Sequence, residues 1–203
     1  MFYLIGAAHR VQSSPTNPDD SEDQKAYRAC LRDAIGRTRP VLVSEEFSTH
    51  ALTKARKNDE AEHESITKAV ADSLAVAHRF CDPGPEDRKR IGYVEGGELF
   101  MPMVMADQDG LTNEQIETIA FATEVAKYWP LREKFWLDQL GDVLDKSVIF
   151  ICGDAHLESF QQLVAGKAIE SQIIARHIGV NQSDDAFWGR VLAYVCAHPE
   201  LKK

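Results

Sequence analysis

The chain begins with the stretch FYLIGAAH at residues 2–9, and the stretch VIFICGDAH at residues 148–156 repeats its design near the other end. Each stretch is an apolar run with the length of a buried strand, followed by a Gly-x-x-His turn. Continuous apolar strands are typical of parallel sheets that are covered on both faces. The two stretches therefore predict a sheet in which His9 and His156 stand at the ends of buried strands.

The rest of the chain alternates between strand and helix patterns. We expect further strands over 41–43, 78–82 and 169–175, and helices over 22–38, 86–91, 113–128, 129–144, 156–164 and 184–198. The other segments are predicted to be a loop over 11–23, an exposed and then a packed helix over 49–76, and an irregular connection or lid over 92–108. The alternation predicts a single α/β domain over 1–203, with a mainly parallel sheet flanked by helices and a pocket at the carboxyl ends of the strands.

Composition narrows the class of protein. The chain has 203 residues, of which 44% are hydrophobic and 27% charged, as in ordinary globular domains with one core. A net charge of -9 argues against nucleic acid or an anionic membrane surface as a partner, since both attract basic patches. No apolar run reaches the roughly 18 residues of a membrane span, and no signal peptide pattern begins the chain. We therefore expect a cytoplasmic protein without a membrane partner, and the four scattered cysteines predict neither disulfides nor a thiolate zinc site.

Ionisable side chains follow four of the apolar segments, and the carboxyl ends of parallel strands lie at one edge of a sheet. The residues concerned are His9, then Glu45 and Glu46, then His78, Arg79 and Asp82, and finally Asp154 and His156. Two imidazoles and a carboxylate are the ligands of a divalent metal such as Mn, Zn or Co, which would lower the pKa of bound water to about 7. The predicted metal ligands are His9, His156 and Glu46.

A second route to the same chemistry needs no metal. A histidine beside a glutamate can act as a general base toward water, and Arg79 or Arg132 can stabilise the anion that develops on the substrate. Both routes lead to hydrolysis, and the spacing of the residues leaves both open.

Structural roles are the alternatives for the same residues. His9 and His156 could hydrogen-bond loop backbone, and one glutamate of the 45–46 pair could support a helix N-terminus. Asp82 could pair with Arg79 in a structural corner, and Arg132 with Glu133 in a surface ion pair of small energetic weight. The remaining histidines are expected to have no special role: His50, His63, His177 and His198.

Several of these residues together resemble a known superfamily. The two Gly-x-x-His turns, the glutamate pair and the later Arg132, Glu133 and Trp136 are similar to the pattern of the erythromycin esterase-like, Tiki/TraB and ChaN-like proteins. The resemblance extends from Gly6 to about Phe160 and leaves out the segment 78–83.

The resemblance implies an α/β fold with its pocket at the strand ends, and hydrolytic activity. It assigns His9 and His156 as the paired histidines, Glu45 or Glu46 as the acidic residue and Arg132 as the arginine. Members of this superfamily differ in function, since some are proposed metal-dependent peptidases, some cleave macrolide esters and some bind haem.

We therefore expect a hydrolase in which His9, His156 and Glu46 organise the attacking water or metal-bound hydroxide, with Glu45 in support. Arg132 or Arg79 is expected to bind an anionic group of a small-molecule or peptide substrate. His78 is the reserve ligand or base, and the further candidates for substrate binding are Asp82 and Asp154.

Two other functions stay open from the sequence. One is a non-catalytic module that binds a small ligand, haem or a metal in the same pocket. The other is a structural or interaction protein of a stress or defence system, in which a fully hydrogen-bonded polar cluster fixes the fold. The candidate assembly of the protein is a homodimer.

Overall fold

A computed structural model of the chain describes residues 1–15, 21–53, 63–106 and 110–202. Parts of the predicted loop over 11–23, of the predicted exposed helix and of the predicted lid lie outside these ranges. The described chain divides into two compact units, each built from segments that are distant in sequence. The sheet unit comprises Met1–Gly84 and Trp136–Val180, and the helical unit comprises Pro85–Phe135 and Asn181–Lys203. The sequence shows no linker at these boundaries, and the single domain over 1–203 stays a prediction.

A five-stranded parallel sheet forms the centre of the sheet unit, with the order β5-β3-β6-β1-β7. Two short strands, β2 and β4, form a separate antiparallel pair. The bounds in chain order are β1 Phe2–Ala7, β2 Ser13–Pro15, β3 Leu42–Glu45, β4 His63–Ser65, β5 Ala77–Phe80, β6 Val148–Cys152 and β7 Ser171–Ile178. The predicted α/β fold with a parallel sheet flanked by helices is confirmed.

Helices of the sheet unit flank this sheet. They are His9–Gln12, Glu22–Thr38, Ile66–Ser73, the 3-10 turn Asp154–His156 and Leu157–Ala165. The helix predicted over 22–38 is confirmed, and it begins at a capping box in which the Ser21 hydroxyl accepts a hydrogen bond from the N–H of Gln24. The loop predicted over 11–23 is wrong at its start, because residues 9–12 are helical and 13–15 pair with β4.

Both faces of the sheet are covered by apolar side chains, which explains why its strands are apolar without alternation. One face packs Ile5, Val43 and Ile151 against Tyr27 of the helix Glu22–Thr38 and its neighbours. On the other face, the ring of Phe150 lies 4.5 Å from that of Phe160, between centroids. All five residues of β6 are buried, as expected for the central strand.

Helices make up the described part of the helical unit. Their bounds are Pro85–Ile91, Gly96–Ala106, Asn113–Thr123, the π-helix Glu124–Tyr128, the start of Trp129–Gln139, Gln182–Ala197 and the 3-10 turn Pro199–Lys202. No helix in the described part of the chain is long and apolar enough to cross a membrane.

Two sequence predictions in this region need correction. The helices predicted over 113–128 and 129–144 are continuous from residue 113 to 139, and the second ends five residues earlier than predicted. They are joined by the π-helix, in which the N–H of Trp129 donates to the carbonyl of Glu124. Pro130 has no N–H and its ring would crowd a regular α-turn, so the wider π-turn accommodates it. The segment 92–108, predicted to be irregular because of its glycines and Pro102, contains the helix Gly96–Ala106 instead.

Gly6 supplies a test of how closely the two Gly-x-x-His turns pack. A methyl group on Gly6 would lie 2.3 Å from Oδ1 of Asp154 and 2.6 Å from Cδ1 of Leu157. We expect Gly6→Ala to lower the free energy of unfolding by about 1–3 kcal/mol through overpacking. Gly36→Ala is the matched control, because its methyl would meet no atom within 4 Å in a helix, and it should raise stability by about 0.5–1 kcal/mol. Urea denaturation measures both, and equal midpoints for the two variants would contradict the close packing.

All four cysteines are free thiols, but their environments differ. Burial raises the pKa of Cys81 to about 12, whereas Cys196 is exposed. Because the thiolate is the reactive form, we expect a disulfide reagent at pH 8 to label Cys196 within minutes and to leave Cys81 unmodified until the protein unfolds. Mass spectrometry of labelled peptides measures this, with Cys196→Ser as the control. Labelling of native Cys81 at the rate of Cys196 would show that the site of Cys81 opens to solvent.

Candidate functional site

Glu46 lies at the carboxyl edge of the sheet, one residue beyond β3. Its N–H donates a hydrogen bond of 2.7 Å to the carbonyl of Ile151, which extends the pairing of β3 with β6 by one residue. Because side chains alternate along a strand, the side chains of Glu45 and Glu46 point to opposite faces. Both carboxylates are buried, and each belongs to a different group of polar residues.

The Glu46 carboxylate lies between the two histidines of the Gly-x-x-His turns. Its Oε2 accepts a hydrogen bond of 2.6 Å from the N–H of Gly153. Its Oε1 lies 3.4 Å from Nε2 of His9 and 3.8 Å from Nε2 of His156. The structure thus brings together the three residues that the sequence analysis placed at the centre of the site.

The side chains of His9, Glu46 and His156 lie around the backbone of Gly153. A methyl group at this residue would lie 3.5 Å from Oε2 of Glu46, 3.6 Å from Nε2 of His9 and 3.6 Å from Cδ2 of His156. Those are ordinary van der Waals distances, and a larger side chain would fill the space between the polar groups. The two imidazoles and the carboxylate therefore all lie within contact distance of a methyl group at this one position.

The two imidazoles differ in their contact with solvent. The side chain of His9 is 58% exposed, whereas that of His156 is 6% exposed. The His156 ring packs edge-to-face against Trp136, with 4.9 Å between centroids, and the indole N–H of Trp136 donates to Asp82 over 3.1 Å. His9 is therefore the imidazole that solvent reaches, and Asp82 lies behind His156 with Trp136 in between.

Arg79 does not pair with Asp82. Its guanidinium donates to both oxygens of Asp142, over 2.7 and 3.0 Å, and also to the carbonyl of Gln139. This hydrogen bonding lowers the pKa of Asp142 to about 2. In place of the pairing that the sequence suggested, Arg79 binds Asp142 and the carbonyl of Gln139, and Asp82 accepts from the indole of Trp136.

Glu45 forms a second, buried group with His78 and Ser65. Its Oε1 accepts a hydrogen bond from the Ser65 hydroxyl and lies 2.8 Å from Nε2 of His78. Among the described residues, Oε2 of Glu45 has no hydrogen-bond partner. Burial, together with the charge of Glu45, raises the pKa of Tyr27 on the same face well above its usual value. The His78 and Glu45 side chains are 5% and 0% exposed, which favours a structural role for this group.

Asp154 contacts a histidine to which the sequence analysis gave no role. Its Oδ1 accepts a hydrogen bond of 2.6 Å from the backbone N–H of His177, and its Oδ2 lies 3.2 Å from Nδ1 of the same residue. The strand predicted over 169–175 ended before His177, whereas β7 continues to Ile178. No pattern in the sequence links residue 154 to residue 177, so this pair is visible only in the structure.

Arg132 and Glu133 belong to the helical unit, and both are buried. They are therefore not the surface ion pair that the sequence analysis considered. The Arg132 guanidinium lies over the Tyr93 ring, 5.4 Å from its centroid, and the Tyr93 hydroxyl donates to Glu124. Burial is the main cause that raises the pKa of Tyr93. Within its own unit, Arg132 is thus part of a buried cluster with Tyr93 and Glu124.

The predicted metal ion would need several ligating side chains close to one another. Within residues 1–15, 21–53, 63–106 and 110–202, no group of three or more His, Cys, Asp or Glu side chains is arranged to hold a metal ion. Two imidazoles and a carboxylate have the chemistry of zinc or manganese ligands, but their arrangement here does not supply a complete site. The Mn, Zn or Co ion stays a prediction from the sequence.

Ser65 connects the Glu45 group to the backbone, so its removal tests that group. Besides donating to Glu45, its hydroxyl caps the helix Ile66–Ser73 by accepting from the N–H of Lys68 over 3.0 Å. We expect Ser65→Ala to lower the free energy of unfolding by about 1–3 kcal/mol, because a cap and a buried hydrogen bond are lost together. Ser73→Ala is the control, since its hydroxyl donates only to the carbonyl of Val70 in the same helix. Chemical denaturation measures both losses, and an equal small loss would contradict the role of the buried group.

Comparisons with models of protein families, with curated proteins and with solved structures each find no match for this chain. The resemblance to the erythromycin esterase-like, Tiki/TraB and ChaN-like superfamily therefore stays a prediction from the quoted motifs.

Proposed function

We propose that the sheet unit is a hydrolase that activates water with His9 and Glu46. The observation that supports this function is the position of the buried Glu46 carboxylate, with Oε1 at 3.4 Å from one imidazole and 3.8 Å from another. A carboxylate beside an imidazole is the arrangement of general-base catalysis. It lies at the carboxyl edge of a parallel sheet, where open α/β sheets bind their ligands.

His9 is the general base in this proposal. Its side chain is 58% exposed, so a water molecule can reach it, whereas Glu46 itself is covered. In the first step the water gives a proton to His9 while its oxygen forms a bond to the carbonyl carbon of the substrate. The adjacent Glu46 carboxylate stabilises the imidazolium that results, as the acidic residue does in hydrolytic triads.

Glu46 can fill that role because its own position is fixed. The N–H of Gly153 holds Oε2 over 2.6 Å, which leaves Oε1 directed toward the histidines. His156 lies on the other side of Oε1, held by its contact with Trp136. A carboxylate fixed in advance does not have to reorient as charge develops, which is how preorganised groups lower a reaction barrier.

An ester or a peptide amide of a small molecule is the substrate class that we propose. In the proposed reaction the activated water attacks an acyl carbon. The sequence motifs resemble those of proteins that include macrolide esterases and proposed peptidases. Arg79 is bound to Asp142 and Gln139, so it is a weaker candidate for the anion-binding group than the sequence suggested. No step of the proposal involves a metal ion.

Turnover of simple acyl substrates tests this function. We expect the wild-type protein to hydrolyse 4-nitrophenyl acetate or an aminoacyl 4-nitroanilide at pH 7.5. Glu46→Gln and His9→Ala should each lower kcat/KM by about 100-fold or more, which is the usual contribution of a general base. Steady-state kinetics measures the loss, and circular dichroism checks that the variants fold.

His50→Ala is the matched control, because His50 is an exposed histidine of the same unit without a predicted role. It should keep wild-type turnover. Equal turnover by Glu46→Gln and the wild type would contradict the proposed function. Activity that disappears with a chelator and returns with Mn²⁺ or Zn²⁺ would instead favour the metal-bound hydroxide that the sequence also allowed. A visible absorption band on adding haem, without any turnover, would favour the binding module.

A further inference from the structure

The last strand of the sheet carries an irregularity beside the site. Between the pairs Ile5 with Ala175 and Ala7 with Ile178, β1 advances by two residues and β7 by three. One extra residue is therefore accommodated in β7, which is a β-bulge. Bulges are over-represented both at sheet edges, where β7 lies, and next to active sites, where they redirect a side chain.

His177 lies in this bulge with an unusual backbone conformation. Its φ is +55°, in the left-handed region that residues other than glycine seldom adopt. The conformation costs free energy, and such residues cluster at functional sites because the surrounding structure must hold them. Here the contact that holds the backbone is the hydrogen bond of 2.6 Å from the N–H of His177 to Oδ1 of Asp154.

Asp154 also orients the imidazole of His177. Its Oδ2 lies 3.2 Å from Nδ1, so this ring nitrogen carries the proton that faces the carboxylate. Nε2 is then the ring nitrogen on the side away from Asp154. The side chain is 60% exposed, so the ring is in contact with solvent. A carboxylate that fixes the tautomer of an imidazole is the pairing used for proton transfer in hydrolases.

The pair is connected to the proposed site through the backbone of the second Gly-x-x-His turn. Asp154 directly follows Gly153, and consecutive Cα atoms lie only ~3.8 Å apart. Gly153 is the residue around which His9, Glu46 and His156 gather. On the other side, the N–H of Ala8, the residue before His9, donates over 2.8 Å to the carbonyl of Ile178, the residue after His177.

We propose that His177, oriented by Asp154, is the general acid that protonates the leaving group of the substrate. This inference rests on the proposed function, and it adds a second proton-transfer residue on β7, the strand that pairs with β1, which leads to His9. Asp154 is a positioning residue, because it acts through His177.

The proton balance of the reaction is complete with these two histidines. Water loses a proton to His9 as its oxygen bonds to the acyl carbon. His177 enters the next step as the imidazolium, with a proton on each ring nitrogen. The bond from that carbon to the leaving oxygen or nitrogen breaks, its electron pair stays with the leaving atom, and that atom takes the proton from Nε2 of His177, while Nδ1 keeps the proton that faces Asp154. His9 returns its proton to solvent and His177 regains one from solvent, so an ester and water become an acid and an alcohol.

The dependence of turnover on the leaving group of the ester distinguishes a general acid from a structural residue. A 4-nitrophenolate leaves without help, whereas an alkoxide needs a proton as it departs. We expect His177→Asn to keep turnover of 4-nitrophenyl acetate within about threefold, and to lower kcat for an alkyl acetate by about 100-fold or more. Asparagine is the chosen substitute because it tolerates the left-handed conformation. Equal losses on the two esters, or no loss on either, would overturn the assignment.

Asp154→Asn tests the positioning role separately. Aspartate contacts the backbone N–H and the ring of His177 through separate oxygens, and asparagine replaces one of these oxygens by an NH2 group that donates, so the two contacts cannot both be kept. We expect the same selective loss on the alkyl ester. Long-range proton–nitrogen NMR should find the proton of neutral His177 on Nδ1 in the wild type and on Nε2 in Asp154→Asn. A wild-type proton on Nε2 would contradict the orientation, whether or not the protein is active.

The kinetic results distinguish this inference from the proposed function. If Glu46→Gln abolishes turnover while His177→Asn hydrolyses both esters at the wild-type rate, the assignment of His177 as the general acid is wrong and the proposed function stands. Absence of wild-type turnover on both esters overturns the proposed function, and with it the catalytic role of His177. His177→Gly regaining alkyl ester turnover on addition of imidazole would support a direct proton transfer, because the protonated form of added imidazole can donate the missing proton but does not repair a merely structural loss.

Discussion

The pairing of β3 with β6 is the constraint on which the candidate site depends. These two strands are neighbours at the centre of the sheet, although more than 100 residues separate them in sequence. The last backbone contact of the pair, from the N–H of Glu46 to the carbonyl of Ile151, places Glu46 beside the turn at Gly153. The Gly153 N–H then binds the Glu46 carboxylate. One strand register thus determines which glutamate meets the histidines, since a shift by one residue would exchange Glu45 and Glu46 between the faces.

The two neighbouring glutamates show how strongly the local environment decides a role. Glu45 is enclosed by Ser65 and His78, and its Oε1 is shared between them. Glu46 is also covered, but its Oε1 faces His9, whose ring is exposed to solvent. Two carboxylates that are adjacent in sequence therefore belong to a structural group and to the candidate site, respectively. The difference follows from the alternation of side chains along a strand, and from which elements cover each face.

Much of the fold and part of the site could be predicted from the sequence because they depend on local patterns. The apolar runs at 2–5 and 148–152 and the helix over 22–38 carry their own periodicity and end signals. The positions of His9 and His156 could be predicted because each lies within four residues of the end of a buried strand. The contact of His177 with Asp154 could not, since it depends on a bulge and on a residue that lies 23 positions earlier in the chain. The continuous helix through Pro130 was missed because proline ordinarily ends an α-helix, and the π-turn removes that conflict.

Local sequence patterns are enough to predict the class of the fold, the edge of the sheet where ionisable residues collect and the two Gly-x-x-His turns. Those features follow from the hydrophobic period and from turn chemistry, which act over a few neighbouring residues. Long-range contacts set the strand order, the division into two units, the separate surroundings of Glu45 and Glu46, and the contact of Asp154 with His177. These depend on contacts between segments far apart in the chain, and such contacts are fixed by packing and register, which no local pattern encodes.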